Sequence, residues 1–296
     1  MSDLAIETHG LVQRYGRITA VEGVELRVPL GSVYGYLGRN GAGKTTTIQM
    51  LMGLVEPAAG TMSVLGFDPL TDDVAMKRVV SYVPERVHVY DWMKVSDLMR
   101  FGEGIHPHWD VALAESLRRR LELPLDRRVE ELSRGMQGKA ALMAALASRP
   151  KLLILDDPTL GLDAIVRREF MESIVGVLQE AGTTIFLSSH NIDDVERVAD
   201  WIGILHEGKL LVQRRLEDLK RAVHRLVVTL PEGAAPLTPP RMLLREGAGR
   251  QQAFLCEDVG DDTLAAIAAA GATETETVDC SLEDIFVAYV RQAQSS

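Results

Sequence analysis

Gly38-Arg39-Asn40-Gly41-Ala42-Gly43-Lys44-Thr45 has the spacing G-x-x-x-x-G-K-[ST]. It follows the apolar run Val33-Tyr34-Gly35-Tyr36-Leu37 and leads into a helical pattern from about Lys44 to Leu54. A strand that enters a glycine-rich turn and leaves as a helix aims several backbone N–H groups, with the positive end of the helix dipole, at one point. A polyphosphate fits there. Gly38, Asn40, Gly41, Ala42, Gly43 and Thr46 belong to the cradle, Lys44 reaches the β- and γ-phosphates, and the Thr45 hydroxyl completes the shell of Mg²⁺.

The rest of the chain limits what this site serves. At 296 residues there is room for one large domain and a smaller one. Hydrophobic residues are 46% and charged residues 25%, the balance of a folded protein with a sizeable core. The formal charge of −10 argues against non-specific nucleic-acid binding as the main task. Arg118-Arg119-Arg120 and Arg127-Arg128 read as solvated helix faces. No apolar run approaches the roughly 18 residues of a membrane span, and Met1 to Glu7 lacks the pattern of a signal peptide. A cytoplasmic location is expected, with Cys256 and Cys280 reduced and structural.

Short alternating segments, Leu4 to Val12 and Val21 to Val28, predict an antiparallel edge beside the nucleotide site. Thr61 to Leu65 and Val79 to Val83 read as further strands. From about 86 to 147 helical periodicity replaces them, over Val95 to Phe101, Val111 to Leu121 and Gly138 to Ala147. Strands return at Leu152 to Leu155 and Thr184 to Ser188, around a helix from about Ala164 to Glu180. Ile202 to Leu205 and Lys209 to Val212 form a hairpin. The alternation implies an α/β fold with a mostly parallel sheet. A Pro-, Gly- and Ala-rich stretch from Pro231 to Pro240 marks a change, and residues 222–296 read as a small C-terminal α/β domain after a main domain over 1–221. Its strands are Leu226 to Leu230, Met242 to Arg245, Gln252 to Cys256 and Thr273 to Val278. Helices cover Asp262 to Ala270 and Ser281 to Ala293, with Ser281 as N-cap.

Leu152-Leu153-Ile154-Leu155-Asp156-Asp157-Pro158 is a buried apolar strand ending in two carboxylates, at the end where parallel sheets place their ligands. Asp156 is suited to holding Mg²⁺ through water, and Asp157 to orienting or deprotonating the water that attacks the γ-phosphate.

With the phosphate loop and this strand end in place, the chain resembles the nucleotide-binding subunit of an ATP-binding cassette (ABC) transporter over about residues 4 to 220. That resemblance implies a P-loop nucleotide hydrolase fold with an antiparallel edge subdomain and a helical insert. Leu132-Ser133-Arg134-Gly135-Met136-Gln137 resembles the family's signature loop. It implies that Ser133 and the Gly135 backbone meet the γ-phosphate of ATP held by a second cassette, with two chains closing head to tail on two nucleotides. His190, after Ser188-Ser189, matches the switch histidine at the attacking water. Asp163, in Thr159-Leu160-Gly161-Leu162-Asp163, matches the residue that communicates across the dimer. Tyr15 matches the aromatic that stacks on adenine; packing within the edge sheet is the other reading of that ring. Tyr90-Asp91-Trp92-Met93-Lys94 lies where the family receives a short helix of the membrane subunit, and these side chains also suit the core of the helical insert. Ser281 to Phe286 is similar to the end of cassettes serving ABC-2 type drug and antibiotic exporters.

Three positions depart from the family. Asp157 replaces a glutamate, which draws the carboxylate back by roughly an ångström, a displacement that costs on the order of a hundredfold in rate unless the backbone compensates. Glu85, in Val83-Pro84-Glu85, replaces the usual glutamine; it can still meet Mg²⁺ or its water but brings a negative charge. Arg134 stands where glycine is usual. The expected function is an ATP hydrolase, possessing ATP and Mg²⁺ as ligands, that dimerises with a like or related cassette and drives transport, with export preferred. It works beneath a separately encoded permease on the inner face of the membrane. Two other readings remain: an ATP-gated regulatory cassette with impaired hydrolysis, and a soluble cassette ATPase acting on nucleic acid or ribosomes, against which the acidic total weighs.

Overall fold

The computed structural model describes residues 3–86, 90–160, 162, 165–168, 170–172, 182–234 and 237–295. It divides into two compact units, residues 1–210 and 211–296.

The first unit is built on strands β1 (Leu4–Tyr15), β2 (Ile18–Val24), β3 (Arg27–Pro29), β4 (Val33–Leu37), β5 (Ala59–Val64), β6 (Val80–Val83), β7 (Leu152–Asp156), β8 (Thr184–Ser189) and β9 (Trp201–His206). β10 (Lys209–Arg215) follows, and the chain passes into the second unit within it. The larger sheet has the order β10-β9-β4-β8-β7-β6. The pairs β4/β8, β4/β9, β6/β7 and β7/β8 are parallel. Strands covered on both faces have no polar side to show, hence the unbroken apolar run Leu152–Leu155, all fully buried. β4 lies between β8 and β9, so the turn that follows it opens at the middle of the sheet's carboxyl edge.

The antiparallel edge foreseen from the alternating segments is a separate sheet: β1 pairs with β2, β3 and β5, all antiparallel. β1 runs to Tyr15, beyond the expected end at Val12, because its hairpin with β2 carries pairing through to Tyr15 and Ile18. Among the described residues no strand lies between β6 and β7. Helices Val95–Ile105, Val111–Arg120 and Arg134–Ala147 fill that interval. Arg118 and Arg119 both bond Glu115, each at 2.7 Å; Arg119 is solvated as expected, whereas Arg118 is mostly covered and also donates to the Leu123 carbonyl at 2.9 Å. Residues 165–168 and 170–172 are helical, while Gly161, Asp163 and most of the helix expected over 164–180 lie outside the described residues.

In the second unit β11 (Val223–Thr229), β12 (Met242–Glu246), β13 (Gln251–Glu257) and β14 (Glu274–Asp279) form an antiparallel sheet of order β12-β13-β11-β14. Leu226, Val228, Phe254 and Cys256 share a core with Ile267 of helix Asp261–Ala269. Helix Leu282–Ser295 begins with reciprocal bonds, Asp284 N to Ser281 Oγ at 3.1 Å and Ser281 N to Asp284 Oδ2 at 3.1 Å. The composition shift suggests a boundary after residue 221. The compact division falls after Leu210, within β10, so helix Leu216–Ala222 groups with the second unit.

Candidate nucleotide site

β4 ends at Leu37 and helix Lys44–Leu51 starts on Gly43, whose φ is 107°. A β-carbon there would collide with the Ala20 carbonyl oxygen of β2, so only glycine lets the loop turn against the antiparallel sheet. The first turn of the helix holds no acidic side chain, which leaves its positive end open to an anion. Lys44 is buried, and its Nζ donates to the carbonyls of Gly38 at 2.7 Å and Arg39 at 3.3 Å. Burial lowers its ammonium from the ordinary range, and the carboxylates of Asp157, Asp156 and Glu85 oppose that shift.

A cavity of about 350 Å³ opens over the loop. Asn40, Gly41, Ala42, Gly43, Lys44, Thr45 and Thr46 line it from one side, with Glu85, Asp156 and Asp157 among its other walls. Thus the three residues expected around a cation, Thr45, Asp156 and Glu85, face one space. Asp156 is buried: Oδ1 accepts from Ser188 Oγ at 2.7 Å, and Oδ2 has no hydrogen-bond partner. Burial raises the Asp156 carboxyl, against the lowering pull of the Ser188 and Thr45 hydroxyls. A buried carboxylate whose Oδ2 has no hydrogen-bond partner, sharing a cavity with the Thr45 hydroxyl, fits a hard divalent cation such as Mg²⁺.

Asp157 takes the left-handed backbone region, φ 44°, where a side chain is disfavoured. Its Oδ2 lies 2.6 Å from His190 Nδ1, and its buried Oδ1 has no partner. The two residues expected at the attacking water are therefore in direct contact, at the ends of neighbouring strands β7 and β8. Thr159, just beyond, places Oγ1 3.3 Å from Asp194 Oδ2, and Arg167 Nε is 3.4 Å from Asp194 Oδ1.

Other expected residues stand apart from this cavity. Ser133 caps helix Arg134–Ala147, its Oγ accepting from Met136 N at 3.3 Å. Ser133 and Arg134 are exposed, Gly135 is buried, and neither Ser133 nor Gly135 lines the phosphate-loop cavity. Arg134 lines a second cavity of about 390 Å³ with Arg86, Gln137 and Glu85. Tyr15, 48% exposed at the end of β1, does not reach the phosphate loop's lining. The segment after Glu85 divides: Met93 is buried, while Tyr90 and Trp92 are exposed and tilt against one another with ring centroids 5.7 Å apart. Sequence reasoning passed over Ser188, whose hydroxyl touches both acids, and Ala20, whose carbonyl walls the loop. Ser188 is signalled only by its β-register opposite Asp156.

Comparison with known proteins gives the same assignment. The family model for ABC transporters matches residues 21–160. The bacitracin transport ATP-binding protein of Bacillus licheniformis is 36% identical over 73% of this chain and 71% of its own length. The daunorubicin/doxorubicin resistance ATP-binding protein of Streptomyces peucetius is 34% identical over 76% of this chain and 70% of its own. A solved ATP-binding subunit of an ABC transporter superposes with a TM-score of 0.66 at 28% identity, covering 73% of this chain and 92% of that one. The chain belongs to the ABC transporter family, among its ATP-binding subunits.

Proposed function

We propose that this chain is the ATP-hydrolysing motor of an exporter. It closes on ATP with a second cassette, of its own kind or a related one, beneath a separately encoded membrane permease at the cytoplasmic face. One observation carries the reading: the phosphate loop, Lys44, Asp156 and Asp157 share a single cavity, while the Ser133 loop is exposed outside it. A helix N-terminus whose exposed Ser133 lies outside the phosphate-loop cavity is suited to the nucleotide of another copy. The export preference rests on the relatives named for bacitracin transport and for daunorubicin/doxorubicin resistance. Exposed Tyr90 and Trp92 are suited to receiving the permease. Among the described residues no helix is long and apolar enough to cross a membrane, so a permease supplies the path.

Catalysis on this reading is placement and charge. Lys44 exchanges the loop carbonyls for phosphate oxygens, and Asn40, Gly41 and Gly43 present backbone N–H groups. Thr45 and Asp156 would hold Mg²⁺, which would supply charge neutralisation for the phosphate oxygens. The Asp157 carboxylate holds the His190 ring at Nδ1. Asp157, on the wall of the phosphate-loop cavity, is the carboxylate suited to the attacking water. The shorter arm of Asp157 makes turnover slow.

Light scattering of the Asp157→Asn chain with ATP, ADP or no nucleotide tests the reading. Dimers with Mg-ATP and monomers with ADP are expected, since only the γ-phosphate reaches the second Ser133 loop. Monomers in all three states would contradict it.

A further inference from the structure

Ser188 is fully buried near the end of β8, and its register partner in the parallel pair is Asp156. Its hydroxyl does two things at once. The proton goes to Asp156 Oδ1 at 2.7 Å, and a lone pair accepts the N–H of Asp157 at 3.0 Å. The same N–H also lies 3.1 Å from the Ser188 carbonyl oxygen. One donor and two lone pairs make these uses compatible in a single rotamer. Alanine offers neither, and threonine offers both.

The consequences differ for the two acids. At Asp156, the bond occupies Oδ1 and leaves the unpartnered Oδ2 as the oxygen free for a cation. At Asp157, the bond adds to the one accepted by the Ser188 carbonyl in holding the peptide of a residue whose φ of 44° needs outside support. From that peptide the carboxylate reaches His190 at 2.6 Å. A glutamate has an extra rotatable bond with which to absorb a small shift of its backbone. Asp157 has one fewer, so its carboxylate follows its peptide more closely.

We propose that Ser188 is a positioning residue that sets both carboxylates together, the cation-side oxygen of Asp156 and the water-side arm of Asp157. The inference rests on the ATPase reading above and adds a residue that acts through others. Outer contacts of this sort typically weigh about tenfold or more in metal affinity or rate.

The experiment compares Ser188→Ala and Ser188→Thr with wild type in the full chain, with two readouts. One is steady-state hydrolysis as a function of Mg²⁺ and ATP. The other is Mn²⁺-supported binding of a fluorescent ATP analogue, which needs no turnover. Expected for Ser188→Ala are a kcat lower by about tenfold and a Mn²⁺ requirement raised by about tenfold. KM for ATP at saturating Mg²⁺ should move by less than about twofold, because Lys44 and the loop are untouched. Ser188→Thr should stay within about threefold of wild type in both readouts. If Ser188→Ala does not fold, Ser188→Cys, which fills the space with a weaker donor, carries the same expectation. Wild-type kcat and cation dependence in Ser188→Ala, or equal impairment in Ser188→Thr, would overturn the proposal. A wild type without hydrolysis would instead overturn the ATPase reading, and the Mn²⁺ titration would still judge Ser188.

Discussion

His190 Nδ1 and Asp157 Oδ2 lie 2.6 Å apart, joining the end of β8 to the end of β7 through side chains 33 positions apart in the chain. The contact fixes the imidazole by one nitrogen and leaves the other free, while Oδ1 of the same carboxylate is buried and unpartnered. An imidazole held by this carboxylate, whose residue lines the phosphate-loop cavity, is suited to act with it on the attacking water. On the proposed function, His190→Ala should lower kcat by about a hundredfold. ATP-dependent dimerisation should persist, since Lys44 and the loop remain. Single-turnover hydrolysis with light scattering on the same sample measures both, and loss of dimerisation together with turnover would assign His190 to binding.

Glu85 adds a third carboxylate facing Lys44, beside Asp156 and Asp157. Cation-free ATP carries its own negative charge into that field, whereas a cation complex carries less. Glu85→Gln should therefore tighten ATP binding in EDTA by about tenfold at low salt, roughly 1.4 kcal/mol, and by much less with Mg²⁺ present. Glu85 is exposed, so added salt should shrink the effect. Fluorescence titration with and without EDTA separates the two conditions. Equal gains in both would show that charge at position 85 is not what limits cation-free binding.

Burial raises the Asp156 carboxyl above its unfolded value. The nucleotide-free fold therefore loses stability as pH rises from the unfolded value, about 3.9, through the raised one, and bears the full cost at neutral pH. Below both values the carboxyl is protonated in either state and the cost disappears. Asp156→Asn should raise the melting temperature of the nucleotide-free chain at neutral pH by about 2–4 °C, with the gain fading as pH falls through the carboxylate range. The same variant should lose Mg²⁺-supported nucleotide binding. Thermal melts across pH check the first, and a fall in stability at neutral pH would contradict it.

Gly43 has φ 107° and no room for a β-carbon against the Ala20 carbonyl. Gly43→Ala should cost about 1–3 kcal/mol in urea unfolding and weaken ATP binding, because the loop's N–H groups lose their common aim. Unchanged urea midpoints would show that the loop yields more easily than its contacts imply.

Much of this was legible in one dimension. Gly38 to Thr45 has a spacing that only a phosphate cradle explains well, and Leu152–Leu155 is apolar throughout because both faces of β7 are covered. Helix Leu216–Ala222 was missed because seven residues with two acids and two bases give little periodicity; its place is set by packing on β11. The Asp157–His190 contact depends on β7 lying beside β8, which spacing along the chain does not encode. Ser188 follows the same logic: a serine at a strand end is unremarkable until its register sets it opposite Asp156. The Ser133 loop was recognised by motif, yet the ligand proposed for it belongs to another copy.

Steady-state ATP hydrolysis by the wild-type chain beside Asp157→Asn and Asp157→Glu is the most direct test of Asp157 as the working carboxylate. Slow but measurable turnover is expected in wild type, a loss of about a hundredfold or more in Asp157→Asn, and equal or faster turnover in Asp157→Glu. Wild-type rates in Asp157→Asn would contradict the assignment, because that side chain cannot take the proton of the attacking water.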